Sequence, residues 1–141
     1  YADGVVFSVN DYSKLAAVAI GETPALLWED NEYLSDIPSP VAAGKLLFLP
    51  TTYGTVVCYD ARTGTKHWVH EFDNPIYASP IVAEGKVYLM DKKGIMHIIK
   101  TDEKFTLVGE PQLGEGSVCT PAFADGKIII RGDKNLYCIG K

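Results

Sequence analysis

Three cysteines, three histidines and eighteen carboxylates are the residues of this 141-residue chain equipped for metal, redox or acid–base chemistry. His67 and His70 lie three apart in a run that reads as a strand. Odd spacing on a strand sends side chains to opposite faces, so the pair is poorly placed to chelate one metal. His97 stands alone. No Cys-x-x-Cys, His-x-x-x-His or acidic calcium-loop pattern occurs, and no zinc or calcium site built from this chain alone is expected. Cys58, Cys119 and Cys138 read as small buried hydrophobes. Asp3, Asp91, Asp102, Asp125 and Asp133 read as turn formers, and Glu29, Asp30 and Glu32 as a solvated strand end. Gly114-Glu115-Gly116-Ser117 lacks the Gly-Lys-Ser/Thr ending and the following helix of a phosphate-binding loop. Arg131-Gly132-Asp133 falls in a turn, where such residues are expected without any adhesion role. No nucleophile elbow or Ser/His/Asp order is visible. The chain offers no catalytic, cofactor-binding or metal constellation, and the reading leans away from an enzyme.

The elements that position these residues are set by a repeat. The dipeptides Asp3-Gly4, Ala43-Gly44, Glu84-Gly85 and Asp125-Gly126 each precede a β-rich run, and their glycines are spaced 40, 41 and 41 residues apart. Lys45, Lys86 and Lys127 follow three of those glycines. Ser39-Pro40, Ser79-Pro80 and Thr120-Pro121 stand about four residues upstream, their prolines 40 and 41 apart. Self-similarity at a fixed period is the signature of a repeat architecture.

Within the second unit the pattern predicts short strands over 41–43, 45–49, 55–59 and 66–72. Val, Ile, Tyr, Phe and Trp dominate the runs, and Gly and Asp mark the breaks. No sustained helical period appears. Four short strands per roughly 40 to 45 residues is the pattern of a β-propeller blade. The expected fold is therefore all-β, with about three and a half four-stranded antiparallel blades. One partial domain spans 1–141, with repeats at about 1–37, 38–78, 79–119 and 120–141. In this register Cys58 and Cys138 occupy the same slot two blades apart, beyond disulfide reach.

A balance of 13 Lys and Arg against 18 Asp and Glu, with a net charge of −5, argues against general nucleic-acid binding, which needs a basic surface. No apolar run approaches the roughly 20 residues of a membrane helix. No charged-then-apolar leader opens the chain, and Tyr1 in place of Met leaves room for a removed upstream segment.

Asp60-Ala61-Arg62-Thr63-Gly64-Thr65-Lys66-His67-Trp68 resembles the tryptophan-docking signature of the PQQ-like (quinoprotein-type) propeller repeat. The resemblance covers nearly the whole chain and is strongest in the second unit. It implies that Trp68 docks between blades, that Trp28, 40 residues earlier, does the same, and that Asp60, Thr63 and Gly64 form the capping turn. The first unit departs from the pattern with Thr23-Pro24 in place of Thr63-Gly64. The third has Lys104 and Val108 at the Gly and Trp positions.

The first unit begins at its second strand and the last stops after its third, so the chain reads as the C-terminal part of a larger propeller. An arc closing by self-association is the competing arrangement, and the partners are then the remaining blades or a second copy. Loops at 10–13, 51–54, 91–94 and 132–134 join strands two and three. Those at 31–36, 73–77 and 110–118 join strand four to the next blade. In a propeller both sets lie on one face, so Tyr12, Tyr33, Tyr53 and Tyr77 decorate that face. Aromatic anchors suit a protein or small-ligand partner; tyrosines that only cover strand ends are the alternative.

By resemblance, the leading expectation is a non-catalytic binding or scaffold propeller of the bacterial cell envelope. No cofactor is expected for this chain alone. A fragment of a quinoprotein dehydrogenase using PQQ and calcium, or a docking propeller attached to an upstream enzyme domain, are the alternatives.

Overall fold

Short runs of β-branched and aromatic residues, cut every five or six positions by turn formers, leave no room for helices. The computed structural model describes residues 1–140 and contains fourteen strands in four antiparallel sheets. The first sheet is β1 (Val5–Val9), β2 (Leu15–Ala19) and β3 (Ala25–Asp30). The second is β4 (Val41–Ala43), β5 (Leu46–Pro50), β6 (Thr55–Asp60) and β7 (Lys66–Glu71). The third is β8 (Ile81–Ala83), β9 (Lys86–Met90), β10 (Met96–Lys100) and β11 (Leu107–Gly109). The last is β12 (Ala122–Ala124), β13 (Lys127–Arg131) and β14 (Leu136–Gly140). Each sheet pairs its strands in chain order, the meander of a propeller blade. In the first unit a lone bridge, Ala2 to Val5, stands where an innermost strand would end.

The turns between strands one and two explain the Asp/Glu-Gly spacing. At Asp3-Gly4, Glu84-Gly85 and Asp125-Gly126 both residues have positive φ, between 45° and 76°. That is the requirement of a type I′ hairpin, whose twist matches the flanking strands. The second unit differs by one residue. Ala43 pairs with Leu46, so Gly44 takes the first turn position and Lys45 the second, with the positive φ at Gly44. The structural equivalent of Gly85 is thus Lys45 rather than Gly44, and β5 starts one residue later than the glycine spacing predicts. Each complete strand-three to strand-four pairing slips at one repeated position: Ala17/Val18, Cys58/Tyr59 and Ile98/Ile99. Such bulges bend the strand and increase its twist.

The core lies in the seams between sheets. Side chains alternate along a strand, so one sheet supplies two seams. From the second sheet, Leu47, Leu49, Val57 and Tyr59 join Leu15 against the first sheet. Leu46, Phe48, Val56 and Cys58 face the other way and join Val87, Leu89 and Ile99 of the third sheet. A third seam holds Ala78, Met90, Met96 and Ile130. All five residues of β5 are buried, so this strand is covered on both faces rather than half-buried as its composition predicts. The outer sheets keep one open face, where Val6 and Leu136 are exposed.

The Ser/Thr-Pro anchors also act across seams. The Ser39 N–H donates to Ser79 Oγ at 2.9 Å, and the Ser79 N–H donates to Thr120 Oγ1 at 2.9 Å. Each unit's anchor is thereby tied to the next one's hydroxyl, beside the contact between β4 and β8. Replacing Ser79 by Ala removes one acceptor and should destabilise the chain by about 1 kcal/mol. Denaturant unfolding checks this, and a change indistinguishable from zero would remove the ladder from the account.

Candidate functional site

Antiparallel order places the strand two–three loops and the strand four–one crossovers at the same end of the blades. Two of these loops are tight. The Thr51 N–H donates to Thr55 O at 2.7 Å and the Gly54 N–H to Thr51 O at 3.2 Å, which puts Tyr53 at the tip. Asn10 Oδ1 accepts the Tyr12 N–H at 3.0 Å, an Asx turn that sets Tyr12 at the tip of the first loop. The crossover at 31–40 is held by the Ser35 hydroxyl donating to Pro38 O at 2.5 Å.

Together they enclose a cleft of about 480 Å³ at the seam of the first two sheets. Tyr12, Tyr33 and Tyr53 line it with Asp11, Glu32 and Asp36. Tyr12 and Tyr53 are 92% and 86% exposed. Tyr77 is not part of this cleft: it belongs to the next crossover, where Lys92 Nζ sits 4.2 Å from its ring centroid.

In the acidic run beside the cleft Glu29 and Glu32 are exposed, as a solvated strand end requires, but Asp30 is largely covered and all three are ion-paired. Lys66 Nζ lies 2.8 Å from Asp30 Oδ2 and 2.5 Å from Glu32 Oε2, and 5.4 Å from the Tyr33 ring centroid. The Tyr59 hydroxyl donates to Asp30 Oδ2 at 3.0 Å, and Glu29 pairs with Lys14 at 2.8 Å. Burial pushes the Asp30 carboxyl up, but the Lys66 ammonium, the Glu32 N–H and the Tyr59 hydroxyl outweigh it and hold the pKa below the ordinary value. Burial and the Glu32 charge push the Tyr33 phenol up.

The two tryptophans cross the seams. The Trp28 indole N–H donates to Ala61 O at 3.0 Å, and its ring stacks on Tyr59 with centroids 5.6 Å apart. A Cβ on Gly64 would lie 2.6 Å from Trp28 Cδ2, so only glycine leaves room for the ring, and Gly64 has a φ of +73° besides. Asp60 shapes that turn: its Oδ1 accepts the Thr63 N–H at 2.8 Å, the Thr63 hydroxyl at 2.9 Å and the Arg62 N–H at 3.0 Å. These bonds, the Thr63 N–H first, hold the Asp60 pKa below its ordinary value. The Thr63-Gly64 turn therefore meets the tryptophan of the preceding unit, not Trp68 of its own. Trp68 reaches one unit onward: its N–H donates to Asp102 O at 3.1 Å and its ring meets Phe105 edge-on at 5.1 Å.

One constellation has no counterpart in the sequence reading. Buried His97 places Nδ1 2.8 Å from Glu110 Oε1 and Nε2 3.3 Å from Asp91 Oδ2, while Asn74 Nδ2 donates to Asp91 Oδ2 at 2.8 Å. The Asp91 Oδ1 accepts the Lys93 and Ile95 N–H groups, the turn role its position predicts. Phe72 stacks on His97 at 3.9 Å, and His70 on Phe105 at 4.0 Å. The only sequence signal for this cluster is a lone histidine in a core strand. Both His97 nitrogens and both Asp91 oxygens are engaged, so the cluster ties the crossover at Asn74 to the third sheet.

The phosphate-loop look of residues 114–117 is likewise spent internally. Glu115 accepts the Lys134 and Asn135 N–H groups, the Asn135 amide and the Tyr137 hydroxyl. The cysteines are all free, but only Cys58 is buried as expected; Cys119 is half-buried and Cys138 is exposed on the open last sheet. Burial, then the Glu103 and Asp102 charges, push the Cys58 thiol up to about 12. Among the described residues no three His, Cys, Asp or Glu side chains are grouped to hold a metal ion, and no helix is long and apolar enough to cross a membrane.

The meander of four sheets, with seam-crossing tryptophans, invites comparison with known propellers. A family model described as outer membrane protein assembly factor BamB matches residues 13–136. The chain belongs to that family. It is 22% identical over 139 residues to the outer membrane protein assembly factor BamB of Salmonella typhimurium (strain LT2), covering 97% of this chain and 35% of that protein. The chain thus spans about a third of the length of this curated relative. The BamB crystal structure from Moraxella catarrhalis superposes with a TM-score of 0.81 at 20% identity, covering 97% of this chain and 43% of the other. A europium-containing methanol dehydrogenase shares the fold with a TM-score of 0.66 at 15% identity, over 82% of this chain and 24% of the other. The fold is a β-propeller of the PQQ-like repeat class, with about three and a half blades present.

Truncating either indole removes a large ring from a seam and leaves a cavity. Trp28→Ala and Trp68→Ala are each expected to destabilise the chain by about 3 to 5 kcal/mol in denaturant unfolding. A change within about 0.5 kcal/mol would sink the docking assignment.

Proposed function

We propose that this chain is a non-catalytic binding segment of a BamB-like propeller, holding a protein partner of the cell envelope at the rim that carries Tyr12, Tyr33 and Tyr53. Trp28 and Trp68, with the turn at Asp60, Thr63 and Gly64, serve as latches that keep neighbouring blades in register beneath that rim. The observation that carries the reading is the cleft itself: two almost fully exposed tyrosine rings held on tight loops over an acidic floor. Exposed aromatic anchors on a rigid frame are the usual hot spots of protein recognition. The relatives named as outer membrane assembly factors support an envelope setting. The remaining blades, or a second copy of the chain, complete the ring.

A photo-activatable residue placed at Tyr53 in the full-length protein tests this in source cells. Protein adducts are expected from position 53. They are not expected from position 62, on the opposite rim. Adducts from neither position, or only from 62, would overturn the assignment.

The methanol dehydrogenase likeness raises the quinoprotein alternative, whose class needs adjacent cysteines or an equivalent platform over the quinone, a catalytic aspartate and calcium ligands. The residues here do not fit that group. Cys58, Cys119 and Cys138 are far apart in sequence, and Cys58 is sealed in the second seam. We propose that the chain alone binds no PQQ. Calorimetry with PQQ and calcium should give no saturable heat; stoichiometric micromolar binding would restore the enzyme reading.

A further inference from the structure

The cluster around His97 encloses a charge that something must balance. Asp91 is fully buried, and its carboxylate meets four donors. The Lys93 and Ile95 N–H groups reach Oδ1 at 2.9 Å each, while the Asn74 amide at 2.8 Å and His97 Nε2 at 3.3 Å reach Oδ2. An ionised carboxylate accepts at every lone-pair site, whereas a protonated one turns an O–H towards one of its neighbours. Four donors therefore make Asp91 the anion. A charge this deep is tolerated only when it is paired and hydrogen-bonded. No Lys or Arg pairs with Asp91 among the described residues; its ionic partner is His97, itself only 3% exposed.

The other nitrogen of the same ring, Nδ1, lies 2.8 Å from Glu110 Oε1. Glu110 keeps 43% of its side-chain surface in water, where a carboxylate is ordinarily ionised at neutral pH. Both contacts thus run to oxygens that only accept, so both ring nitrogens must carry a proton. Phe72 stacks on this ring with centroids 3.9 Å apart and offers a positive ring its electron-rich face.

A second histidine touches the same phenylalanine. His70 meets Phe72 edge-on at 4.5 Å and stacks on Phe105 at 4.0 Å. Burial, then the His97 charge, hold the His70 pKa below the ordinary imidazole value, with Glu110 and Glu71 opposing. The charged groups around the pair are therefore Asp91 from the loop after β9, Glu110 from the crossover after β11 and Glu71 from β7. Lys92, next to Asp91, is turned onto the Tyr77 ring instead.

We infer that the rim end of the second seam is a proton-dependent lock, closed when His97 is an imidazolium between Asp91 and Glu110 and His70 beside it is neutral. It joins β10, which carries His97, to the crossover at Asn74 and to the crossover at Glu110. Loss of the His97 proton leaves one carboxylate facing a ring lone pair. A proton gained by His70 sets a like charge beside His97. The two histidines act in opposite directions on stability. A proton held more tightly by the folded chain stabilises below the ordinary imidazole range, and this His97 contribution is lost as pH rises through the folded value. A lowered folded value does the reverse: the His70 contribution is present above the ordinary range and is lost as pH falls through the folded value. Stability therefore peaks between the two transitions.

Histidine-selective 15N spectra of the full chain, with His97 assigned through its contacts to Phe72, read the ring protons directly. At about pH 7 both His97 nitrogens are expected to be protonated and His70 to be neutral. Glu110→Gln keeps the shape at an exposed position and should lower the proton affinity of His97 about tenfold. Urea midpoints between about pH 5 and pH 9 should pass through a maximum. Glu110→Gln should flatten its alkaline side and His70→Gln its acid side. An unprotonated His97 nitrogen at neutral pH would overturn the inference. So would a His97 titration indifferent to Glu110→Gln, or a pH profile of urea midpoints that neither variant alters.

Discussion

Burial of both faces of a sheet against two neighbours is the constraint on which this molecule depends. A single four-stranded meander cannot cover its own apolar surface, and a repeat protein solves this by stacking. In the second sheet the alternation of side chains divides Leu46 to Leu49 and Val56 to Tyr59 between two seams. Two kinds of polar contact help to keep those seams closed. Near the inner strands the closure is a ladder of backbone N–H groups on Ser79 and Thr120 hydroxyls. At the Asp60–Gly64 and Asp102 turns it is an indole lying on the turn of the next blade. One mechanism is directional and modest per bond, and the other is bulky and apolar.

Seam formation also builds the rim. Tyr12 and Asp11 come from one blade, Tyr53 and Thr51 from the next, and Glu32, Tyr33 and Asp36 from the crossover between them. The three sets meet one another only when the first seam is closed. The same crossover is anchored through Glu32 by Lys66, which also binds Asp30 beside the Tyr59 hydroxyl. In the next seam the equivalent space is filled differently. Asp91, His97, Asn74 and Glu110 satisfy one another, and Lys92 covers Tyr77. The two seams share a backbone plan and diverge in side-chain chemistry.

Local signals account for most of what was legible beforehand. Type I′ turns need residues tolerant of positive φ, so Asp-Gly and Glu-Gly pairs recur at the blade period and mark the strands around them. The count of three, four, four and three strands follows from those marks, and so does the pairing order. The one-residue slip at Gly44 escaped because a glycine fits either turn position, and only pairing with Leu46 chooses between them. The double burial of β5 escaped because composition reports that a residue is apolar, not how many neighbours it has. The cover over Asp30 escaped because its cation, Lys66, lies more than thirty residues away.

By itself, then, the chain determined its period, its turns and its strands. These are properties of φ, of side-chain shape and of two-residue alternation, and they act over a few positions. Tertiary structure alone decided which turn receives which indole, that the Ser/Thr-Pro anchors bond across seams, that His97 is saturated by two carboxylates, and that three of four rim tyrosines converge on one cleft. Those outcomes depend on distances between residues 6 to 41 positions apart. Such distances are set by sheet stacking, and no local pattern encodes them.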